Sequence, residues 1–486
     1  MSAILDMANG LGEDKSILTG MFAFELCLSA GLGEDDARSA FLAGLLRHLG
    51  CTAYAAGETA MAEDDIGLRS RFLRSDLTRE AEVIAAIQGA GGRFAGVAEL
   101  LASVRGIGSA WMAEACGAAR LLASQLGLGP AVVTALDEVF ERWDGQGGPR
   151  RKRGTDISAV GRTATVAHVA VMFLVSEGLD AAREILSVRG GKMLDPDMSA
   201  RASSLLADLT RSNVEARLSE IDRALSRSPL TVDVTTIAET FGDFADLQTS
   251  FTTGHSRRVA EAAARAATAL DLPGKERATL ILAAHLHDLG QVAIPTGLWM
   301  RAAWTDADRE RARLHPSFTE RVLSRSPLLA AAARAAAVHH ERLDGSGYRR
   351  EGGASLPRTA RILAAAEIFC GLQEERPHRP AMSAVEARRL LLGEARAGKI
   401  DADCADAVAG TDGAARARSA APALGLTGRE QEVLRLLAHG KTNKEVAVTL
   451  GISDRTVQHH TIHIYKKLGV DTRAGAALMA ARHGIV

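Results

Sequence analysis

Aromatic residues make up only 4% of the 486 positions, and proline appears 12 times. With alanine abundant, that balance disfavours a sheet-built protein and favours helix bundles. Cysteine is scarce as well. Cys27, Cys51, Cys116, Cys370 and Cys404 are odd in number and isolated, and no two form a Cys-x-x-Cys pair. A disulfide scaffold is excluded, and a reduced cytosol is the simple expectation. No run approaches 18 uncharged apolar residues, so no membrane span is expected. The first 15 residues form neither a secretory signal nor a targeting helix. The net charge of −1 states no global preference for nucleic acid or membrane, so any such partner must be sought locally. A cytoplasmic chain of two to four domains is expected.

What is present is an array of ligand-type side chains. His255, His287, Asp288, His315, His339 and His340 fall within 86 residues of otherwise Ala/Leu-rich helical sequence. Neutral imidazoles and ionised carboxylates are metal ligands, whereas histidine beside histidine in an apolar core is costly. Several helices presenting one or two ligands inward is how bundles build metal sites. Adjacent His287 and Asp288 lie about 100° apart on a helix, so both reach one centre only if Asp288 bridges. His285 has no such role and is read as structural, Asp246 as a turn cap, and Asp344 with Gly345 as loop formers.

The chain also repeats itself. Glu141-Arg142-Trp143-Asp144-Gly145-Gln146-Gly147 matches Glu341-Arg342-Leu343-Asp344-Gly345-Ser346-Gly347 at an offset of 200, and 41–50 matches 281–290 at an offset of 240. Gly191-Lys192 with Asp195 matches Gly398-Lys399 with Asp401. Residues 1–210 and 235–408 are therefore expected to be related helical domains, joined through a helix over 213–227. In the first copy, Arg47-His48 replaces His287-Asp288, Val139-Phe140 replaces His339-His340, and Lys15 replaces His255. Cationic and apolar side chains supply no lone pair, so the first copy is expected to be metal-free.

The stretches Gly254-His255-Ser256-x-Arg258, His287-Asp288-Leu289-Gly290, His315, His339-His340-Glu341-Arg342-x-Asp344-Gly345-Ser346-Gly347-Tyr348 and Arg376-Pro377-His378-Arg379 resemble the HD superfamily of phosphohydrolases, in its HD-GYP branch. The resemblance implies hydrolysis of cyclic di-GMP or a related cyclic dinucleotide at two or three divalent transition metal ions, iron or manganese. It implies catalytic roles for His287 and Asp288, with Asp288 bridging. It places His255 and His287 on one cation, His315, His339 and His340 on its neighbour, and a last carboxylate at Glu367. Gln291, Arg342 and Tyr348 are the implied substrate contacts. A metal pair lowers the pKa of water from 15.7 towards roughly 7 and clamps phosphoryl oxygens. Three positions depart from the family pattern. Gln291 stands where it has lysine, Glu367 where it has aspartate, and Arg349 where it has the proline of Gly-Tyr-Pro.

From 409 to 425 the sequence becomes a patternless small-residue run, read as a linker. Beyond it, Thr427 and Glu430 form a capping box, and helices are expected from there to Gly440, over 443–450, over 454–468 and from Arg473. Residues 426–486 resemble the LuxR-type helix-turn-helix domain, through Asn443-Lys444-Glu445-Val446-Ala447, Ile452-Ser453-x-x-Thr456-Val457 and Lys467-Leu468-Gly469-Val470. Nine Arg/Lys against five Asp/Glu from Gly425 onward give this unit a charge of +4. Its third helix should enter the major groove of double-stranded DNA, with Arg455, Gln458 and His459 at base edges. Lys441, Lys444, Thr456, Lys466 and Lys467 are assigned to phosphates. The apolar face of the fourth helix (Ala476, Ala477, Leu478, Ala480) suits a homodimer. The expected whole is all-α: two HD-like bundles and a DNA-binding domain. Its functional readings are a phosphodiesterase coupled to transcription, a regulator with a non-turning metal or nucleotide sensor, or a hydrolase of another nucleotide or phosphate ester.

Overall fold

The computed structural model describes residues 1–486 except 13, 93–96, 212–213, 227–230, 350–354 and 411–422. Most of the expected linker, and the ends of the expected 213–227 helix, lie outside the described residues. The chain divides into two compact units, Ser2–Val232 and Asp233–Val486. The fold is all-α. Among the described residues the only β-type pairing is two isolated bridges.

Local chemistry sets many helix starts. Thr305 with Asp308, Ser383 with Glu386, Thr427 with Glu430 and Thr442 with Glu445 form reciprocal capping boxes. Each satisfies two backbone N–H groups that a helix start leaves without partners. Alanine then lets helices approach closely. Ala262, Ala263, Ala266 and Ala267 of His255–Ala269 are almost completely buried.

The repeat seen in the sequence is a repeat of packing. Lys15–Ser29, Glu34–Leu45, Pro130–Asp137 and Ala159–Glu177 meet in the same pairs as His255–Ala269, Gly274–Leu286, Ala330–Ala337 and Arg358–Leu372. The polar pins recur too. Asp6 accepts from the backbone N–H and hydroxyl of Ser16, and Asp246 does the same for Ser256. Arg162 pairs with Asp195 at 2.6 Å, and Arg361 with Asp401 at 3.1 Å. A Cβ on Gly50 would lie 1.9 Å from the carbonyl oxygen of Ala115, and one on Gly290 would lie 2.1 Å from that of His315. Both positions need glycine so that two backbones can touch.

One described helix, Ala159–Glu177, is long and apolar enough to cross a membrane by length and composition. Arg162 near its start and Glu177 at its end keep its uncharged run short. It lies mostly inside the first unit, with Val166 to Met172 buried.

In the second unit, Val234–Asp246 packs on the two helices that follow it, and four further helices close the chain. These are Gly428–Ala438, Asn443–Leu450, Asp454–Leu468 and Arg473–Arg482, and Gly451 in the left-handed region (φ 65°) turns the second into the third. The homodimer face expected on the last helix is used within the chain. Ala476, Ala477, Leu478 and Ala480 are at most 6% exposed, and their helix packs against Gly428–Ala438. Small side chains permit that close intrachain contact.

Candidate metal centre and DNA-reading surface

The ligand-type residues arrive from separate helices at one point. His255 opens its helix directly after Gly254, which has φ 73°. His287 and Asp288 follow the end of Gly274–Leu286, and His315 begins the helix it shares with Pro316. His339 and His340 follow the short Ala330–Ala337 helix. Glu367 projects from Arg358–Leu372.

Hydrogen bonding at the far side of each ring sets its orientation. The Nδ1 of His287, His315 and His339 lies 2.8, 2.7 and 2.6 Å from the carbonyl oxygens of Ala284, Ala312 and Ala336. A carbonyl only accepts, so each Nδ1 carries the proton, and in the neutral ring Nε2 is a bare lone pair. Those Nε2 atoms face one another. His255 and His287 are 3.3 Å apart, His315 and His339 3.4 Å, and His315 and His340 3.2 Å. Facing lone pairs repel unless a proton or cation lies between them.

Carboxylates complete two groups of four. Asp288, His315, His339 and His340 form one, and His255, His287, Asp288 and Glu367 the other, with ligand atoms inside 4.8 Å of each other in each. Asp288 belongs to both. Its Oδ2 lies 3.4 Å from His287 Nε2 and its Oδ1 lies 3.2 Å from His315 Nε2. Oδ1 is buried without a hydrogen-bond donor, the sort of deficit that a cation relieves. Glu367 Oε2 sits 2.8 Å from His255 Nε2 and 3.1 Å from His287 Nε2. Mixed imidazole and carboxylate donors suit first-row transition metals. The second unit thus contains two groups of side chains that can hold metal ions, and among the described residues neither lies in the first unit.

Charge within the site is uneven. Burial opposes protonation of His255, but Glu374 and Glu367 outweigh it and raise its pKa to about 10. His287 is also raised, burial being outweighed by Asp288 and Glu367. Burial would raise Glu367 and Asp288, but the adjacent imidazolium groups hold both well below the usual carboxylate range. Burial lowers His339 and His340, keeping them neutral. Protons on His255 and His287 therefore supply positive charge that a bound cation would replace.

Two features escaped the sequence reading. Glu374, 6% exposed, accepts from His255 Nδ1 at 2.8 Å and from Arg258 at 2.7 Å, fixing the ring that would otherwise spin. It lies seven residues after Glu367, and that spacing was a readable signal. Trp299 and Trp304, two of only four tryptophans, line a cleft of about 340 Å³ with Phe251 and Tyr348.

The implied substrate contacts divide. Gln291 and Tyr348 line this cleft, and Tyr348 stacks on His340 with centroids 4.3 Å apart. Arg342 does not line it. Its guanidinium donates to the carbonyl of Glu341 at 2.8 Å, so its charge braces the loop from within. Arg349 pairs with Glu320 at 2.8 Å. Asp344 accepts from the N–H and hydroxyl of Ser346, and burial keeps His285 neutral with a pKa of about 3.

On the DNA-binding helices, Arg455, Thr456, Gln458, His459 and Lys466 are exposed along Asp454–Leu468, and Lys444 is exposed on the helix before. Val457 and Leu468 are core. Two expected phosphate contacts are already paired. Lys467 reaches Glu430 at 2.6 Å, and Lys441 reaches Glu375 of the HD domain at 3.1 Å. The C-terminal helices rest directly on the residues beside His255. Thr253 donates to the carbonyl of Ala438 at 3.3 Å, and a Cβ on Gly254 would meet the side chain of Ala481 at 3.1 Å.

Comparison with known proteins agrees with this division. Residues 239–404 match the HD domain family, and residues 424–480 match the luxR family of bacterial regulatory proteins. The chain is 26% identical to the 3'3'-cGAMP-specific phosphodiesterase 3 of Vibrio cholerae over 420 residues, covering 83% of this chain and 91% of that protein. That stretch is longer than the second unit, so the similarity runs into the first. A cyclic di-GMP phosphodiesterase response regulator of Xanthomonas campestris, RpfG, is 33% identical over 162 residues, 32% of this chain and 42% of that one. The transcriptional regulatory protein MctR of Rhizobium johnstonii is 48% identical over 61 residues, 13% of this chain and 28% of that one. The crystal structure of a cyclic GMP-AMP specific phosphodiesterase of V. cholerae shares the fold, with a TM-score of 0.52 and 22% identity over 85% of this chain and 95% of that one.

Proposed function

We propose that this chain, which joins an HD domain to a LuxR-type DNA-binding domain, is a metal-dependent phosphodiesterase of a cyclic dinucleotide that also reads DNA. The observation that carries the proposal is the pair of ligand groups sharing Asp288. Asp288, His315, His339 and His340 would hold one cation and His255, His287, Asp288 and Glu367 the other, with iron or manganese as occupants. When bound, these ions supply Lewis acidity and water acidified towards neutral pH. The chain's own part is to hold the ligands rigid through Glu374 and three backbone carbonyls, and to offer aromatic surface beside them. Trp299, Trp304, Phe251 and Tyr348 suit stacking on purine bases, and Gln291 would meet a phosphate with a neutral contact. 3'3'-cGAMP and cyclic di-GMP, the substrates in the relatives' names, are the first candidates. Contact between the residues flanking His255 and the DNA-binding helices gives the proposal its regulatory half: occupancy of the centre tunes how DNA is held. A cytoplasmic setting follows, since both ligands are met there. A homodimer on DNA would use a face other than the Arg473–Arg482 helix.

The test is hydrolysis of each dinucleotide by the full-length, manganese- or iron-loaded protein, with promoter DNA retention measured on the same samples. Turnover that disappears in Asp288→Asn supports the proposal. Bound metal and bound nucleotide without turnover would establish the second reading, a sensor, which the neutral Gln291 favours. Turnover of a different nucleotide alone would redirect the substrate class. On the DNA side, Arg455→Ala should weaken promoter binding by about 1–3 kcal/mol. Unchanged affinity would reject the groove assignment.

A further inference from the structure

The first repeat lacks the metal ligands but encloses a cavity of about 130 Å³. It is lined by the very substitutions that removed the ligands: Arg47 and His48 stand where the second copy has His287 and Asp288, and Phe140 stands for His340. Arg162 and Arg361, which hold Asp195 and Asp401, set a local offset of 199 on their helices, and this places His168 where the second copy has Glu367. Much of the wall is aromatic. Trp111 lies 6.2 Å from Phe72 and 4.6 Å from Phe140 between ring centroids. An apolar cavity of roughly 150 Å³ accepts a benzene ring, so the space fits one six-membered ring.

Its charges do not balance. Among the arginines lining the cavity, Arg69 is neutralised by Glu58 and Asp65, and Arg142 by Asp76 and Asp144. Arg47, only 9% exposed, makes no ion pair among the described residues. It donates instead to the hydroxyl of Thr165 at 3.1 Å and the carbonyl of Val139 at 2.6 Å. Burial lowers its pKa to about 10, which still leaves a cation at neutral pH. A buried charge without a counter-ion is costly. His168 is 4% exposed, and its Nε2 has no hydrogen-bond partner. Burial keeps His48 and His168 neutral, His48 at a pKa of about 3, so neither adds a competing charge.

We infer that this cavity binds a small aromatic monoanion, a single-ring carboxylic acid, with its ring among Phe72, Trp111 and Phe140 and its carboxylate on Arg47 and His168. The site is separate from the metal centre, and it gives the metal-free repeat a ligand of its own.

The probe is 4-fluorobenzoate, followed by fluorine NMR on the full-length protein. Because a carboxylate also binds metals, the titration is done in Asp288→Asn protein. One saturable site per chain is expected, weakened at least about tenfold in Arg47→Met, where a charge-assisted contact is lost. Neutral 4-fluorobenzamide should bind both forms alike. Phe140→Trp, which fills the cavity, should exclude both probes and decides the matter if Arg47→Met does not fold. The inference is overturned by absent saturation, by equal benzoate affinity in Arg47→Met or Phe140→Trp, or by binding that requires intact Asp288.

Discussion

The two repeats are the same scaffold carrying opposite chemistry. Asp6 and Asp246 pin the same serine, Gly50 and Gly290 allow the same backbone contact, and Arg162 and Arg361 hold the same aspartate. Where the second copy converges lone pairs, the first has Lys15, Arg47, Val139, Phe140 and His168. The pins are common to both copies, whereas the convergent ligand groups are found among the described residues of the second copy alone. The converged ligands impose a cost that a proton or a bound cation relieves. In the first copy that cost is replaced by a different one, the unpaired charge of Arg47.

Asp288→Asn breaks the comparison hardest. It removes the carboxylate common to both ligand groups and should bring bound metal and activity to background, read by elemental analysis. Arg47→Met, at the position matching the neighbouring His287, should leave metal content unchanged. An equal metal loss in both variants would mean that the repeats are not independent. Next come Gly290→Ala and Gly50→Ala. Each drives a Cβ into a carbonyl oxygen, an overpacking cost at or above about 3 kcal/mol. Thermal melts should fall similarly for both, and a tolerated substitution in one copy would show that its backbone contact is not needed there.

Glu374→Gln sharpens the comparison within the metal-bearing copy. Loss of the charge behind His255 should cost about 10–100-fold in metal affinity while leaving the fold intact, measured by competition with a chelator. An unaltered affinity would make Glu374 a partner of Arg258 only. The smallest effect concerns Asp6. Burial raises its pKa to about 6, against the opposing hydrogen bonds from Ser16. A carboxyl that holds its proton more tightly when folded adds stability at low pH and loses it as pH rises through about 6. Asp6→Asn lacks this dependence, so its stability relative to the parent chain should rise by roughly 1–2 kcal/mol between pH 4 and pH 7. A flat difference across that range would show Asp6 to be ionised throughout.

Much of this was legible before any coordinates. The spacing of His255, His287-Asp288, His315 and His339-His340 between helical stretches points to a shared centre, since metals are the commonest reason for so many imidazoles in apolar sequence. Helix bounds in the DNA-binding unit follow from Thr427, Ser453 and Gly451, because capping and left-handed turns are local events. Less legible were residues whose role depends on a distant neighbour. Arg342 and Lys467 have the charge expected of ligand contacts, yet one turns back to a carbonyl of its own loop and the other to Glu430. The small-residue face of Arg473–Arg482 has the composition of a dimer contact but lies against its own chain.

The sequence by itself determined the helical class, the internal duplication, and which copy could carry cations, because these follow from residue type, period and the availability of lone pairs. Only the tertiary structure decided that Glu374 steadies His255, that Arg342 turns back onto its own loop, and that Arg47 is buried without a counter-ion. Those facts turn on which groups the folded chain brings within reach of each other, and only the packing of the helices sets that.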